Sequence, residues 1–193
     1  MFRLETERLV LRPFILDDLD ALAESLADPE VMRYVGEGEA VGKTRTESEH
    51  ILTELIAEYD RWGYGLWAVT TDGENDGRPI GWCGLIEWEL GGVTEVEVAY
   101  LFGRPYWGKG YATEAARAVR DYGVGPVGRT RLVSLVYPDN DASLRVVEKL
   151  GMRYERDAEF FGKRLLLHSL RAEGGKVVDP APAPAWESED RAP

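Results

Sequence analysis

A glycine-lysine-glycine turn, Gly108-Lys109-Gly110, separates two runs of opposite character. Before it, Val93 to Phe102 is rich in β-branched and aromatic residues and predicts a strand. After it, Ala112 to Tyr122 is alanine-rich with helical spacing. A strand that enters a helix through glycines brings main-chain N–H groups close to a ligand. The helix start adds unpaired donors and the positive end of its dipole. Such a device suits an anion, most often a phosphate. The spacing matches neither the P-loop, which needs four residues between glycines followed by Lys-Ser/Thr, nor the dinucleotide fingerprint, which would need glycine where Thr113 stands. Alone, the turn is equally compatible with a tight bend that holds no ligand.

A second stretch narrows the choice. Asn140-Asp-Ala-Ser143-Leu-Arg-Val-Val-Glu-Lys-Leu-Gly151-Met follows a strand-like run, Leu132 to Tyr137. Trp107-Gly-Lys-Gly-Tyr-Ala112 resembles the pyrophosphate loop of the GNAT N-acetyltransferases. Asn140-x-x-Ser143, ending in Lys149-Leu-Gly-Met, resembles their second coenzyme A motif. Glu5-Thr-Glu-Arg-Leu-Val-Leu-Arg-Pro13 is similar to the opening of the RimJ/RimL-like subgroup, which acetylates α-amino groups of ribosomal proteins and various small amines. The resemblance covers roughly residues 3 to 171, with the three motifs in the family's order. It implies an α/β fold of α+β type, a twisted, mostly antiparallel sheet flanked by helices on both faces.

The chain's 193 residues allow one domain with a real core. No stretch approaches the roughly 20 apolar residues of a spanning helix, and the first residues lack an apolar signal core. The single cysteine, Cys83, excludes an internal disulfide. A cytoplasmic protein without a membrane partner is expected. Its net charge of −12 disfavours general nucleic-acid binding, and it suits either attraction of a cationic amine or plain solubility.

In chain order, Glu7 to Phe14 predicts a first strand, and Asp17 caps a helix to about Leu26. Asp28-Pro29-Glu30 opens a short helix through Met32 and Tyr34. After a loop from Gly36 to Gly42, Thr46 to Trp62 is a long helix ended by Gly63. Tyr64 to Thr71, Pro79 to Leu90 and Glu95 to Phe102 form a meander, with polar turns at Asp72 to Gly77 and Gly91-Gly92. Arg129 to Tyr137 is the next strand, and Asn140 to Leu150 its helix. Tyr154 to Phe161 and Arg164 to Arg171 form a closing hairpin around Gly162-Lys163. Residues 1–171 are expected as one domain. Residues 172–193, rich in proline, alanine and acid, are expected as a mobile extended tail. The hairpin and the aromatic residues suit a homodimer.

Acetyl transfer from a thioester to an amine needs a held thioester, a polarised carbonyl, a neutral amine and a proton for the leaving thiolate. The resemblance implies acetyl-CoA as donor and a small-molecule or peptide amine as acceptor. The pyrophosphate would rest on main-chain N–H groups of Gly108, Lys109, Gly110, Tyr111, Ala112 and Thr113, beside Trp107. Lys109 either adds charge or is a solvated loop lysine. Trp107 stands where the family usually has Gln or Arg, and Ala112 where it has Gly; the subgroup tolerates both. The pantetheine arm would run beside the strand end Tyr100-Leu101-Phe102. Many members place a tyrosine acid at the position of Val147, which cannot act so. Asn140 and Ser143 remain as cofactor contacts, with Ser143 as candidate acid or as an early-helix serine bonded to local backbone.

Glu97, in Glu-Val-Ala-Tyr, resembles an acidic position of the subgroup and is the candidate base; a strand carboxylate otherwise faces solvent. Glu95 shares its parity. Glu87 sits on the neighbouring strand and, with Met32 and Tyr34, is a candidate acceptor contact, as are Arg33 and Glu37. His50 and His168 lie in no motif. No His/Cys cluster has zinc spacing, so no metal is expected, and Cys83 is a small buried residue. A longer acyl donor and a non-catalytic coenzyme A module are the alternatives.

Overall fold

The computed structural model describes residues 2–38, 40–71 and 75–178. Among these, β1 (Leu4–Glu5), β2 (Leu9–Arg12), β3 (Leu66–Thr71), β4 (Gly81–Leu90), β5 (Val93–Phe102), β6 (Arg131–Val136), β7 (Arg153–Phe160), β8 (Lys163–Glu173) and β9 (Lys176–Val178) form one sheet. Its order is β1-β2-β3-β4-β5-β6-β8-β7, with β9 also on β8. Every pairing is antiparallel except β5 with β6. The helices are α1 (Leu19–Leu26), α2 (Pro29–Met32), α3 (Arg45–Trp62), α4 (Tyr111–Val124) and α5 (Asp141–Lys149).

Alternation along the strands divides the core between two faces. On one face, Cys83, Leu85, Val96, Val98, Leu132 and Leu170 pack against Ala115, Ala116 and Val119 of α4 and Val147 of α5. On the other, Ala68, Trp82 and Leu101 meet Leu22, Leu26, Met32, Leu52 and Leu55 of α1, α2 and α3. This is the expected mixed sheet with helices on both faces. A third cluster, Leu90, Val133, Ala158 and Leu167 with Trp88, Leu135 and Phe160, consists of strand residues alone.

Local signals explain most boundaries. Thr44 and Glu47 form a reciprocal capping box at the start of α3, and Gly63 ends that helix at φ 72°. Asp28 accepts from the Glu30 N–H at the start of α2. Asp17 does not cap α1. Asp18 precedes that helix, and its carboxylate is held at 2.7 Å by both terminal nitrogens of Arg12 and receives the Ile15 N–H. Residues 72–74 of the expected polar turn lie outside the described residues.

The boundary placed after Arg171 falls inside β8. Ala172 is buried and donates its N–H to the Thr130 carbonyl, and β9 folds back on β8. The rest of the expected tail, 179–193, lies outside the described residues.

β3 and β4 approach closely at Gly84, where an added Cβ would stand 2.0 Å from the Gly65 carbonyl oxygen. Backbone must move to admit it. Gly84→Ala is therefore expected to lower the unfolding free energy in urea by about 3 kcal/mol. An unchanged denaturation midpoint would contradict this close approach.

Candidate active site

The single parallel junction of the sheet opens part-way along. β5 and β6 share one register pair among the described residues, Glu97 with Val133, although β5 continues beside β4 to Phe102 and β6 continues beside β8 to Val136. Side chains bridge the mouth of the split. The Leu135 N–H donates to Glu97 Oε1 at 2.9 Å, and the Ser134 hydroxyl donates to the Val98 carbonyl at 2.9 Å. Beyond them β5, through Tyr100, Leu101 and Phe102, has no register partner on that side among the described residues. An open strand edge is a template for an extended ligand.

Glu97 is 9% exposed and held at both oxygens, the second by the Trp88 indole N–H at 2.6 Å. Burial disfavours its charged form and pushes its carboxyl up to about 7, against the pull of the Leu135 and Trp88 donors. The strand carboxylate therefore does not face solvent. Trp88 in turn packs edge-on against Phe160 and Phe161, at 4.8 and 5.9 Å between ring centres.

At the end of β5 the chain turns into α4. The Trp107 indole N–H donates to the Phe102 carbonyl at 2.6 Å, which gives this tryptophan a bracing role. Gly108 and Gly110 have φ of 73° and 84°, a region costly for other residues. No N–H from Gly108 to Thr113 meets an acceptor among the described residues, and Gly110 precedes the helix without a side-chain cap. Lys109 lies over the Tyr106 ring, 5.6 Å from its centre.

The loop has a brace that the sequence reading missed. Arg8 donates to the Lys109 carbonyl at 3.0 Å, contacts Glu114 at 2.6 and 2.7 Å, and covers the Tyr111 ring. Thr6 and the Arg8 N–H also bind Glu114. Both Thr6 and Arg8 lie in the opening motif, Glu5 to Pro13, whose physical role here is to fix the first turn of α4.

After β6, the Asn140 side chain accepts the Ser143 N–H at 3.1 Å and so caps α5. The Ser143 hydroxyl makes no local backbone bond. The Tyr100 hydroxyl donates to the Ser143 carbonyl at 3.4 Å, and burial raises this phenol above its ordinary value. Val147 is fully buried in the core, as is Cys83, whose thiol burial also raises. His168 is buried edge-on to Tyr154, and burial lowers its pKa; His50 pairs with Glu54 on the exposed face of α3. Among the described residues, no three or more His, Cys, Asp or Glu side chains group as metal ligands. No described helix is long and apolar enough to cross a membrane.

A cavity of about 400 Å³ opens on the face of α1, α2 and α3. Met32, Val35, Ile51, Leu55, Leu66, Trp82 and Phe161 line it. Trp82 is the cross-strand partner of Leu101, so one wall adjoins the open edge of β5. Of the expected acceptor contacts, Met32 lies in this wall, as does Glu37. Tyr34 instead braces the neighbouring loop, with its hydroxyl 3.3 Å from Asp139 and its ring against Tyr137. Glu87 is not brought here. It pairs in register with Val96, faces away from the side on which Trp82 lies, and binds Tyr64 and Arg129. Trp82, Leu66 and Phe161 went unforeseen because they come from three distant segments.

Residues 8–153 match the family model of the acetyltransferase (GNAT) domain. The chain is 31% identical over 182 residues to the uncharacterized N-acetyltransferase p20 of Bacillus licheniformis, covering 93% of both chains. An acetyltransferase structure from Agrobacterium tumefaciens is 28% identical, with a TM-score of 0.73 over 89% of this chain and 95% of that one. RimL, a ribosomal-protein α-N-acetyltransferase solved with coenzyme A, shares the fold at 14% identity, with a TM-score of 0.69 over 86% of this chain and 95% of that one.

Raising the Glu97 carboxyl from the ordinary 4.5 to about 7 means that folding favours its protonated form. That contribution is complete below the unfolded value and is lost as pH rises through the folded one. The stability difference between wild type and Glu97→Gln should therefore shift against wild type by about 2 kcal/mol from about pH 5 to about pH 8. A difference independent of pH would show that Glu97 titrates as an ordinary carboxylate.

Proposed function

This chain belongs to the GNAT acetyltransferases, and on that premise we propose that it transfers the acetyl group of acetyl-CoA to a primary amine by direct attack in a ternary complex. The observation that carries the reading is the continuity of two features. The unpaired N–H groups from Gly108 to Thr113 lead directly from the open edge of β5. A phosphate-bearing ligand with an extended amide arm fits that pair of features and supplies the thioester chemistry.

In this reading the amides of Gly108 to Thr113 hold the pyrophosphate, with Lys109 adding charge. The β5 edge at Tyr100, Leu101 and Phe102 orients the arm, and a main-chain N–H there polarises the thioester carbonyl. Asn140 keeps the start of α5 in register so that Ser143 lies beside the sulfur. Glu97 accepts the proton of the acceptor ammonium, through water. The amine nitrogen bonds the carbonyl carbon, the carbon–sulfur bond breaks, and its electron pair leaves on sulfur. The nitrogen gives up its second proton as the amide forms, and the Ser143 hydroxyl relays it, directly or through water, to the sulfur and ends protonated as it began. With its carboxyl near 7, Glu97 is partly ionised at neutral pH and able to take a proton.

Calorimetric titration is expected to show acetyl-CoA binding, and Gly110→Val to weaken it at least about tenfold, since valine resists the positive φ that the loop holds there. Glu97→Gln is expected to lower kcat about 100-fold while sparing acetyl-CoA affinity. It should also abolish a wild-type rise in kcat/KM through a pH of about 7. Absence of binding at millimolar acetyl-CoA would end the reading. Retained turnover in Glu97→Gln would remove Glu97 from the base role.

A further inference from the structure

In the acetyltransfer reading, the cavity on the face of α1, α2 and α3 receives the acceptor. Among the described residues its lining side chains are apolar except for two: Glu37, which is exposed, and Lys43, which lies 4.0 Å from Glu47. The wall is also fixed without a ligand. The Tyr137 hydroxyl donates to the Gly36 carbonyl at 2.8 Å, and Gly38 lies so near Tyr137 that a Cβ would come 2.6 Å from its oxygen. Opposite, Phe161 takes φ of 51° at the turn between β7 and β8, a conformation that an aromatic residue adopts only at a cost. Its ring closes the wall and packs against Trp88, the residue that donates to Glu97.

We propose that the acceptor is a primary amine carried on an uncharged, apolar body, such as an aryl or branched alkyl group. This assignment rests on the acetyltransfer reading above. A polyamine would bring further ammonium groups into a space where Glu37 is the one lining carboxylate among the described residues and Lys43 lines it too. An unpaired buried ammonium costs several kcal/mol. An amino sugar would bring several hydroxyls, for which the lining side chains offer only Glu37 and Lys43 as charged partners. An apolar group meets neither penalty, and about 400 Å³ accommodates one ring or branched chain. The same chemistry occurs in free amines and at peptide N-termini whose first side chain is apolar.

The test measures coenzyme A thiol release from acetyl-CoA with 2-phenylethylamine, isopentylamine and a short peptide beginning with phenylalanine, against spermidine and glucosamine. kcat/KM for an apolar acceptor is expected to exceed that for spermidine and glucosamine by about 100-fold. Turnover of the free amine, the peptide or both supports the assignment and identifies the source. Phe161→Asn keeps a residue that tolerates positive φ but removes the ring. It is expected to raise KM for the apolar amine about tenfold, with acetyl-CoA affinity unchanged. Val41→Glu, at an exposed position of the same cavity, should narrow the preference by improving spermidine about tenfold. If acetyl-CoA binds and spermidine or glucosamine is acetylated as well as the apolar amines, the assignment falls while acetyl transfer stands. If acetyl-CoA neither binds nor is consumed with any amine, both fall.

Discussion

The parting of β5 from β6 is the constraint on which the rest of the site depends. A parallel pair inside an otherwise antiparallel sheet is held in register at Glu97 and Val133 and then diverges. Divergence exposes polar main-chain groups that water or side chains must satisfy. Here two side chains do so: Glu97 takes the Leu135 N–H, and Ser134 donates to the Val98 carbonyl. The fold thus keeps a carboxyl at the apex of the split, and burial there brings its titration to the neighbourhood of neutrality. One residue both props the opening and places a carboxyl that titrates near neutrality beside it.

The same economy governs the turn into α4. Unpaired amides at a helix start are tolerable where solvent reaches them, and Gly108 and Gly110 are exposed. Exposed glycines give little rigidity, so stiffness must come from elsewhere. Arg8, Thr6 and Glu114 tie the first turn of α4 to the N-terminal segment, and Trp107 ties the loop to the end of β5. At the cavity on the face of α1, α2 and α3, Tyr137 and Phe161 hold the wall in comparable fashion. Each part of the site is a flexible or open element fastened by one or two side chains from another part of the chain.

What could be read from the sequence was what is local. The long helices and main strands showed their periods, and Asp28 and Gly63 are visible as short capping motifs, whereas the Thr44 cap went unread and the helix, which begins at Arg45, was started at Thr46. The short β1 and β9 carry too few residues for a period, so β1 went unseen and β9 was assigned to the tail. The glycine loop and the Asn140–Ser143 cap were legible because their chemistry lies within a few consecutive residues. Glu97 was singled out by resemblance, but its burial was not, since a strand carboxylate ordinarily reads as solvent-facing. Glu87 failed for a register reason: adjacency of strands does not bring side chains together when they emerge on opposite faces. The Arg8 brace and the cavity wall, joining residues about 100 apart in the chain, left no local signal.

The central claim is that the amides from Gly108 to Thr113 and the free edge of β5 form one continuous binding surface for acetyl-CoA. Hydrogen–deuterium exchange with and without acetyl-CoA tests it most directly. The account predicts slowed exchange together in the peptides spanning the end of β5 and the start of α4, while the exposed surface of α3 is unaffected. Unchanged exchange in both peptides at saturating acetyl-CoA, or protection confined to another part of the sheet, would contradict it.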